Sequence, residues 1–134
     1  MTVRAKNRVF VTGIAVAVTA LLVTVLPMIA FSESDAVRGI DIVVRDMAFY
    51  VNDGTEPNPV IAVRAGERVR VRVRNEDAGM RHDFTIKSWT VATKLLDDRG
   101  EEDVVEFAVP NERGTHTYTC TPHRKMMTGT IRVE

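Results

Sequence analysis

Residues 114–130 read G-T-H-T-Y-T-C-T-P-H-R-K-M-M-T-G-T, and this stretch is the most informative part of the chain. It places a thiol, an imidazole and a thioether within eight residues, at Cys120, His123 and Met127. These side chains occupy a loop between two predicted strands, at residues 115–120 and 130–133. Sulfur ligands favour copper, and imidazole accepts both of its oxidation states. The stretch therefore indicates a copper site.

A second histidine is needed for the trigonal set of two His and one Cys, with a long axial Met, that is typical of blue-copper sites. His82 is the best candidate, because it follows the clearest predicted strand and its turn in the string M-R-H-D-F. His116 is the rival, but it precedes Cys120 by four residues on one predicted strand. That spacing corresponds to about 13 Å along an extended chain. We therefore interpret His116 as structural.

The clearest strand covers residues 67–74, where Val69, Val71 and Val73 alternate with arginines. Such alternation predicts one buried face and one solvated face, with a docking surface as the alternative role for the arginines. Further strands are predicted at residues 40–44, 47–51, 83–87, 104–109, 115–120 and 130–133. Turn-forming residues separate them, at residues 52–54, 57–59, 97–100 and 111–114. Many short strands and no long helical periodicity predict an all-β sandwich or small barrel.

Taken together, residues 40–134 resemble a cupredoxin, the family of small blue copper proteins that includes plastocyanin, azurin and amicyanin. C-T-P-H at residues 120–123 is similar to the string in amicyanin and pseudoazurin, and M-T-G-T at residues 127–130 resembles the family's M-x-G. G-T-H-T-Y-T-C resembles the family's G-x-Y-x-Y-x-C strand, and H-D-F resembles the step that carries the upstream histidine. The resemblance implies an eight-stranded Greek-key β-sandwich, one type 1 copper and electron transfer between redox partner proteins.

The resemblance also implies the metal ligands, which would be His82, Cys120, His123 and Met127, with the exposed edge of His123 as the electron port. The spacing departs from the family, since three residues separate His123 from Met127. Amicyanin-like loops have two and plastocyanin-like loops have four. Met126 would restore the amicyanin spacing, whereas Met127 keeps the M-x-G register, and we favour Met127.

Asp83 is a second departure, because many members of the family have Asn after the upstream histidine. That Asn usually ties the two ligand loops together by hydrogen bonds. An ionised Asp can accept such bonds but cannot donate them. The role of Asp83 is therefore left open by the sequence.

The beginning of the chain has a different composition. Residues 9–31 contain no charged side chain and are long enough to cross a hydrocarbon core of about 30 Å. The charged residues around this segment are Arg4, Lys6 and Arg8 before it and Glu33 and Asp35 after it. The positive-inside bias then places the N-terminus in the cytoplasm and the rest of the chain outside. We favour a retained membrane anchor, with a signal cleaved near Ala30 and Ser32 as the alternative.

These observations predict four regions. Residues 1–8 would be a basic cytoplasmic flank, residues 9–31 a transmembrane or signal helix, and residues 32–39 a linker. Residues 40–134 would form the copper domain, in the periplasm or another extracytoplasmic compartment.

The formal net charge is zero, which gives no support to nucleic-acid binding, since that needs a basic face. Without the basic flank, the exported part has 15 basic and 18 acidic residues and a net charge of −3. Arg81, Arg124 and Lys125 nonetheless flank two predicted ligands. We expect this local positive charge to raise the reduction potential and to attract an acidic partner near His123.

The single cysteine excludes an internal disulfide and a two-copper oxidase-type site, which needs a second Cys. No general acid–base set is evident, so the sequence predicts an electron carrier and not an enzyme. Two alternatives remain. One is a copper carrier that uses the same ligands, and the other is an interaction module that has kept the sandwich without a metal.

Overall fold

The computed structural model of the protein describes residues 36–134. The predictions for the cytoplasmic flank, the membrane segment and residues 32–35 of the linker lie outside the described residues. Among residues 36–134, no helix is both long and apolar enough to cross a bilayer.

The described part of the chain forms nine β-strands and one short 3-10 turn. The strands are β1 (Val37–Arg45), β2 (Ala48–Val51), β3 (Val60–Val63), β4 (Arg68–Asn75), β5 (Thr85–Ile86), β6 (Val91–Ala92), β7 (Glu102–Ala108), β8 (Gly114–Thr119) and β9 (Thr128–Val133). One sheet has the order β2-β1-β4-β7 and the other the order β3-β9-β8-β5-β6. Strand β1 pairs in parallel with β4, and β3 pairs in parallel with β9.

Strand β4 shows how a simple alternation places one sheet on the core. Its three valines are at most 2% exposed, while its arginines face solvent. Arg70 pairs with Glu106 of β7 at 3.0 Å, and Arg72 pairs with Asp41 of β1 at 2.9 Å. These exposed ion pairs contribute little each, so the burial of the valine face is the main stabilising term. The arginine face is thus solvated and paired with neighbouring carboxylates.

Buried residues from both sheets form one core, and three aromatic rings lie at its centre. Phe84 stacks on Tyr118 with ring centroids 5.4 Å apart, and Phe49 meets both rings edge-on. The Tyr118 hydroxyl donates to the carbonyl of Pro59 at 2.7 Å. Phe84 and Tyr118 each lie two residues from a predicted ligand, so the core fixes both segments that carry the site.

Gly129 of β9 lies directly opposite Tyr118 of β8. A Cβ atom at position 129 would overlap the Tyr118 ring. The glycine of the M-x-G string is therefore required by close packing of the ring over the backbone.

The structure confirms the predicted all-β sandwich, and each predicted strand has a counterpart. The strand predicted at residues 83–87 is shorter and covers only Thr85–Ile86. A 3-10 turn, Lys87–Trp89, follows it directly, and Thr90 after the turn is in the left-handed region. Strands β3 and β6 were not predicted, and the total is nine strands where the resemblance implied eight. Strand β1 begins at Val37, three residues before the predicted domain boundary.

Candidate metal centre

Three donor atoms, one sulfur and two imidazole nitrogens, come from two separate segments of the chain and converge on one point. The ligand atoms of His82, Cys120 and His123 all lie within 4.8 Å of one another. The sulfur of Cys120 is 3.7 Å from Nδ1 of His82 and 3.7 Å from Nδ1 of His123. The two imidazole ring centroids are 4.9 Å apart. The fold therefore brings together the three residues that the sequence singled out.

The two sulfur-to-nitrogen distances of 3.7 Å fit bonds to a single metal ion. A trigonal ion bonded to sulfur at about 2.3 Å and to nitrogen at about 2.0 Å, the lengths known for zinc, would hold the two atoms roughly 3.7 Å apart. One thiolate and two imidazoles are the donor set of blue-copper sites. The residues present thus fit copper in their chemical type and in the spacing between sulfur and nitrogen.

Burial sets the protonation of the ligands when no ion is bound. Burial raises the pKa of the Cys120 thiol, although backbone N–H groups of Asp83 and His123 donate to the sulfur and partly offset this effect. Burial also lowers the pKa of His82, which keeps the imidazole neutral at neutral pH. Metals bind thiolate and neutral imidazole, so binding of an ion displaces the proton of Cys120.

His82 is fully buried and is held through both its backbone and its ring. Its N–H donates to the carbonyl of Leu96 at 2.9 Å, and the N–H of Leu96 donates back at 2.7 Å. Its Nε2 lies 3.1 Å from Oδ2 of Asp77. An ionised carboxylate only accepts, so Nε2 carries the proton and Nδ1 is free to face Cys120.

Asp77 is a functional candidate that the sequence analysis missed. Partial burial raises the pKa of this carboxyl, but hydrogen bonds from the N–H groups of Met47 and Asp46, together with the nearby His82, lower it overall. Asp77 is therefore ionised at neutral pH. No local pattern around residue 77 could have revealed it, because its contacts come from a turn about 30 residues earlier in the chain.

The loop that carries His123 is closed by backbone hydrogen bonds. The N–H of Cys120 donates to the carbonyl of Met127 at 3.1 Å, and the N–H of Met127 donates to the carbonyl of His123 at 2.9 Å. The side chain of Met127 is fully buried, whereas that of Met126 is 59% exposed. This difference supports Met127 over Met126 as the sulfur donor beside Cys120.

Asn58 holds the same loop from outside, and sequence reasoning placed it only in a turn. Its side-chain amide donates to the carbonyl of Met126 at 3.2 Å, and its side-chain oxygen accepts from the N–H of Phe49 at 3.0 Å. Asn58 therefore ties the ligand loop to strand β2. A proline on each side was the signal for a turn, but nothing in the sequence indicated this partner.

The structure answers the question about Asp83. Its Oδ1 accepts the backbone N–H of Thr121 at 2.5 Å, and the side chain is buried. Asp83 thereby links the segment of His82 to the segment of Cys120. Accepting one hydrogen bond is sufficient for this link, so the missing donor capacity of an Asn does not prevent it.

The surface around His123 is less basic than the sequence suggested. Arg81 pairs with Asp97 at 2.7 Å, so its charge is balanced. Within the described residues, Arg124 and Lys125 have no ion pair, and both are exposed. His123 itself is partly exposed, so the local positive charge near it comes from two side chains instead of three.

His116 lies outside the donor group, in agreement with its structural interpretation. Its Nδ1 is 3.2 Å from the hydroxyl of Ser88, and its ring lies 4.8 Å from that of Trp89. Trp89 in turn packs on Phe107, with ring centroids 5.8 Å apart. Trp89 packs against the hydrophobic core, and His116 packs on Trp89.

A two-sheet β-sandwich with a buried cysteine, two converging histidines and a buried methionine defines a cupredoxin. The family model for copper binding proteins of the plastocyanin/azurin family matches residues 40–134, and the chain belongs to this family. Its pattern of His82, Cys120, His123 and Met127 matches a type 1 copper centre, which confirms copper as the predicted cofactor. A search of curated protein sequences finds no match to this chain.

Several solved structures share the fold. Reduced auracyanin from Roseiflexus castenholzii is 19% identical, with a TM-score of 0.57 over 72% of this chain and 96% of that chain. Auracyanin A, a blue copper protein from Chloroflexus aurantiacus, is 20% identical, with a TM-score of 0.56 over 74% of this chain and all of that chain. Reduced rusticyanin is 21% identical, with a TM-score of 0.55 over 73% of this chain and 79% of that chain.

Proposed function

We propose that this protein is an exported type 1 copper protein that moves single electrons between redox partners. The observation that carries the proposal is the convergence of His82, Cys120 and His123, whose ligand atoms lie within 4.8 Å of one another. Two of the donors are fully buried, and hydrogen bonds from several strands and loops hold the segments that carry them. Such a site suits a metal that stays bound while its charge changes.

In this proposal His82, Cys120 and His123 bind the metal, and Met127 supplies the weaker thioether contact. Bound copper supplies a one-electron couple between Cu(II) and Cu(I). The chain contributes rigidity, because Asp83 ties the two ligand segments together and the Leu96 pairing holds His82. Ligands that are already fixed need little rearrangement when an electron arrives or leaves.

His123 is the proposed electron port. It is partly exposed, whereas His82 and Cys120 are fully buried. Pro122 next to it has a fixed φ, which restricts the loop. An electron would therefore enter and leave through the edge of His123, and the buried ligands would stay shielded from solvent.

The docking partner is proposed to be acidic. Arg124 and Lys125 follow His123 directly and are exposed, and Met126 adds an apolar side chain that is 59% exposed. Opposite charge on a partner would speed the encounter and orient His123 toward it. The rate of electron transfer with an acidic partner should fall as salt rises, and a rate that does not depend on salt would contradict this part of the proposal.

Export and membrane anchoring follow from the N-terminal sequence alone. Residues 9–31 would cross the membrane or act as a signal, and residues 40–134 would function outside the cytoplasm. Fractionation of cells that express the full chain, with the mature N-terminus sequenced, distinguishes an anchored form from a cleaved one.

Voltammetry of the copper-loaded protein tests the proposed function. We expect one reversible one-electron wave and one copper per chain. His82→Ala should abolish the wave because it removes a ligand, whereas His116→Ala should leave the wave unchanged because this histidine lies outside the donor group. A wild-type protein without a reversible wave, or equal losses in the two variants, would contradict the proposal.

Retention of Cu(I) distinguishes the proposed electron carrier from a copper carrier that uses the same ligands. A copper carrier must release Cu(I) readily, whereas an electron carrier retains it through many redox cycles. A ligand set in which His82 and Cys120 are fully buried favours retention. Rapid loss of Cu(I) to a competing chelator would favour the copper carrier instead. Neither role requires a substrate site, and we propose no enzymatic turnover.

A further inference from the structure

Asp77 joins the predicted ligand His82 to the turn between β1 and β2 through a single carboxylate. Oδ1 accepts the N–H of Asp46 at 2.8 Å, and Oδ2 accepts the N–H of Met47 at 3.2 Å. The same Oδ2 lies 3.1 Å from Nε2 of His82. The carboxylate is thus held by backbone donors on one side and faces an imidazole N–H on the other.

The turn that holds the carboxylate is itself unusual. Asp46 and Met47 have φ angles of 51° and 58°, in the left-handed region that residues other than glycine seldom adopt. This conformation directs two consecutive backbone N–H groups at Asp77. Two hydrogen bonds to an ionised acceptor partly offset the unfavourable free energy of this backbone conformation.

Asn75 fixes the segment that follows β4. Its side-chain oxygen accepts the N–H of Asp77 at 2.9 Å, and its side-chain amide donates to the carbonyl of Met80 at 2.7 Å. Asn75 is fully buried. The backbone and the side chain of Asp77 are therefore held by separate hydrogen bonds. A side chain fixed in this way can hold the His82 ring in one orientation.

We propose that Asp77 is a positioning residue that orients His82 and stabilises the oxidised copper centre, which lowers the reduction potential. The inference rests on the proposed role of His82 as a ligand. A carboxylate that accepts the N–H on the other ring nitrogen of a ligating histidine fixes the ring and makes it a stronger donor. It also adds negative charge close to the ion, and this charge favours Cu(II) over Cu(I).

The proposed effect of Asp77 lowers the reduction potential, whereas the basic residues near the site are expected to raise it. The side chain of Asp77 is only 16% exposed, and it touches a ligand directly. Arg124 and Lys125 are exposed, so solvent and salt screen their charges, and the charge of Arg81 is balanced by Asp97. Asp77 contacts a predicted ligand and is less exposed to solvent and salt than these basic side chains, so we expect its effect on the reduction potential to exceed theirs.

Asp77→Asn tests the inference, because it keeps the shape of the side chain and removes its charge. We expect the Kd for Cu(II) to rise about 10–100-fold, as for other partners of ligating histidines. The Kd for Cu(I) should change less. A tenfold change in the ratio of the two constants raises the reduction potential by about 59 mV.

Asp98→Asn is the matched control. Asp98 also accepts two backbone N–H groups, from Gly79 and Arg99, each at 2.7 Å, but it is exposed and contacts no predicted ligand. The reduction potential of the Asp98→Asn variant should equal that of the wild type. An unchanged or lower potential in Asp77→Asn, or an equal rise in Asp98→Asn, would overturn the inference.

A measurement on the wild-type protein covers the case in which Asp77→Asn does not fold. In the reduced, diamagnetic protein, proton NMR should show the Nε2–H of His82 as a resonance that exchanges slowly with water. Rapid exchange of this proton would refute the assigned hydrogen bond. If the wild type binds no copper, the proposed function and this inference both fall. If copper binds normally and the potential of Asp77→Asn does not move, only the inference falls.

Discussion

Replacing Met127 with alanine should destabilise the copper-free protein by about 2–5 kcal/mol, the range for truncation of a buried Met. Met127 is fully buried in the core, so the change leaves a cavity and removes its contacts. Even the lower limit of about 2 kcal/mol corresponds to a fall of about 8 °C in Tm for a domain near 100 residues. Thermal and urea unfolding without copper isolates this packing contribution from any effect of the metal.

Met126→Ala is the matched control, because it removes the same atoms from a neighbouring side chain that is 59% exposed. Its effect on unfolding should stay within about 0.5 kcal/mol. With copper bound, Met127→Ala should also change the visible spectrum and the reduction potential, since the axial ligand tunes both, while Met126→Ala should leave them nearly unchanged. The reasoning would be refuted if Met126→Ala were the more damaging change in either experiment.

Two further predictions concern the packing and hydrogen bonds around the site. Asp83→Ala should cost about 2 kcal/mol in urea unfolding, since it leaves the N–H of Thr121 without its acceptor, whereas Asp83→Asn keeps an acceptor and should cost less than about 1 kcal/mol. Equal losses in these variants would argue against the link. Gly129→Ala should lower the free energy of unfolding by about 1–3 kcal/mol, because the new Cβ would overlap the Tyr118 ring. Gly39→Ala, at a position with no atom within 4 Å of the new Cβ, should be nearly neutral, and a comparable loss there would contradict the packing argument.

The sequence predicted those parts of the fold that follow from local patterns. Strand β4 was evident, because strict alternation of valine and arginine predicts a strand with one buried face and one exposed face. Strand β3 was missed because its four residues, V-I-A-V, are short, lack polar alternation and pair in parallel with the distant β9. Strand β6 has two residues and depends on pairing with β5 for its conformation.

The residues of the candidate site also fall into those that local sequence patterns predict and those that depend on distant contacts. Cys120, His123 and Met127 share one loop, so their spacing was visible in the sequence. His82 could be added from its position after the clearest predicted strand, and the resemblance implied the same residue. Asp77 could not be predicted, because its role depends on the distant turn at residues 46 and 47. The pairing of Arg81 with Asp97 was likewise hidden, since 16 positions separate the two residues. Charge near a site can be counted from sequence, but its partners are set by tertiary structure.

The most direct test of the central claim is the visible and paramagnetic resonance spectrum of the protein after addition of one equivalent of Cu(II). Type 1 ligation by Cys120, His82 and His123 predicts an intense sulfur-to-copper absorption band in the wild type and its loss in Cys120→Ala. A wild-type protein that binds Cu(II) without this band, or a band that persists in Cys120→Ala, would contradict the assignment of the site.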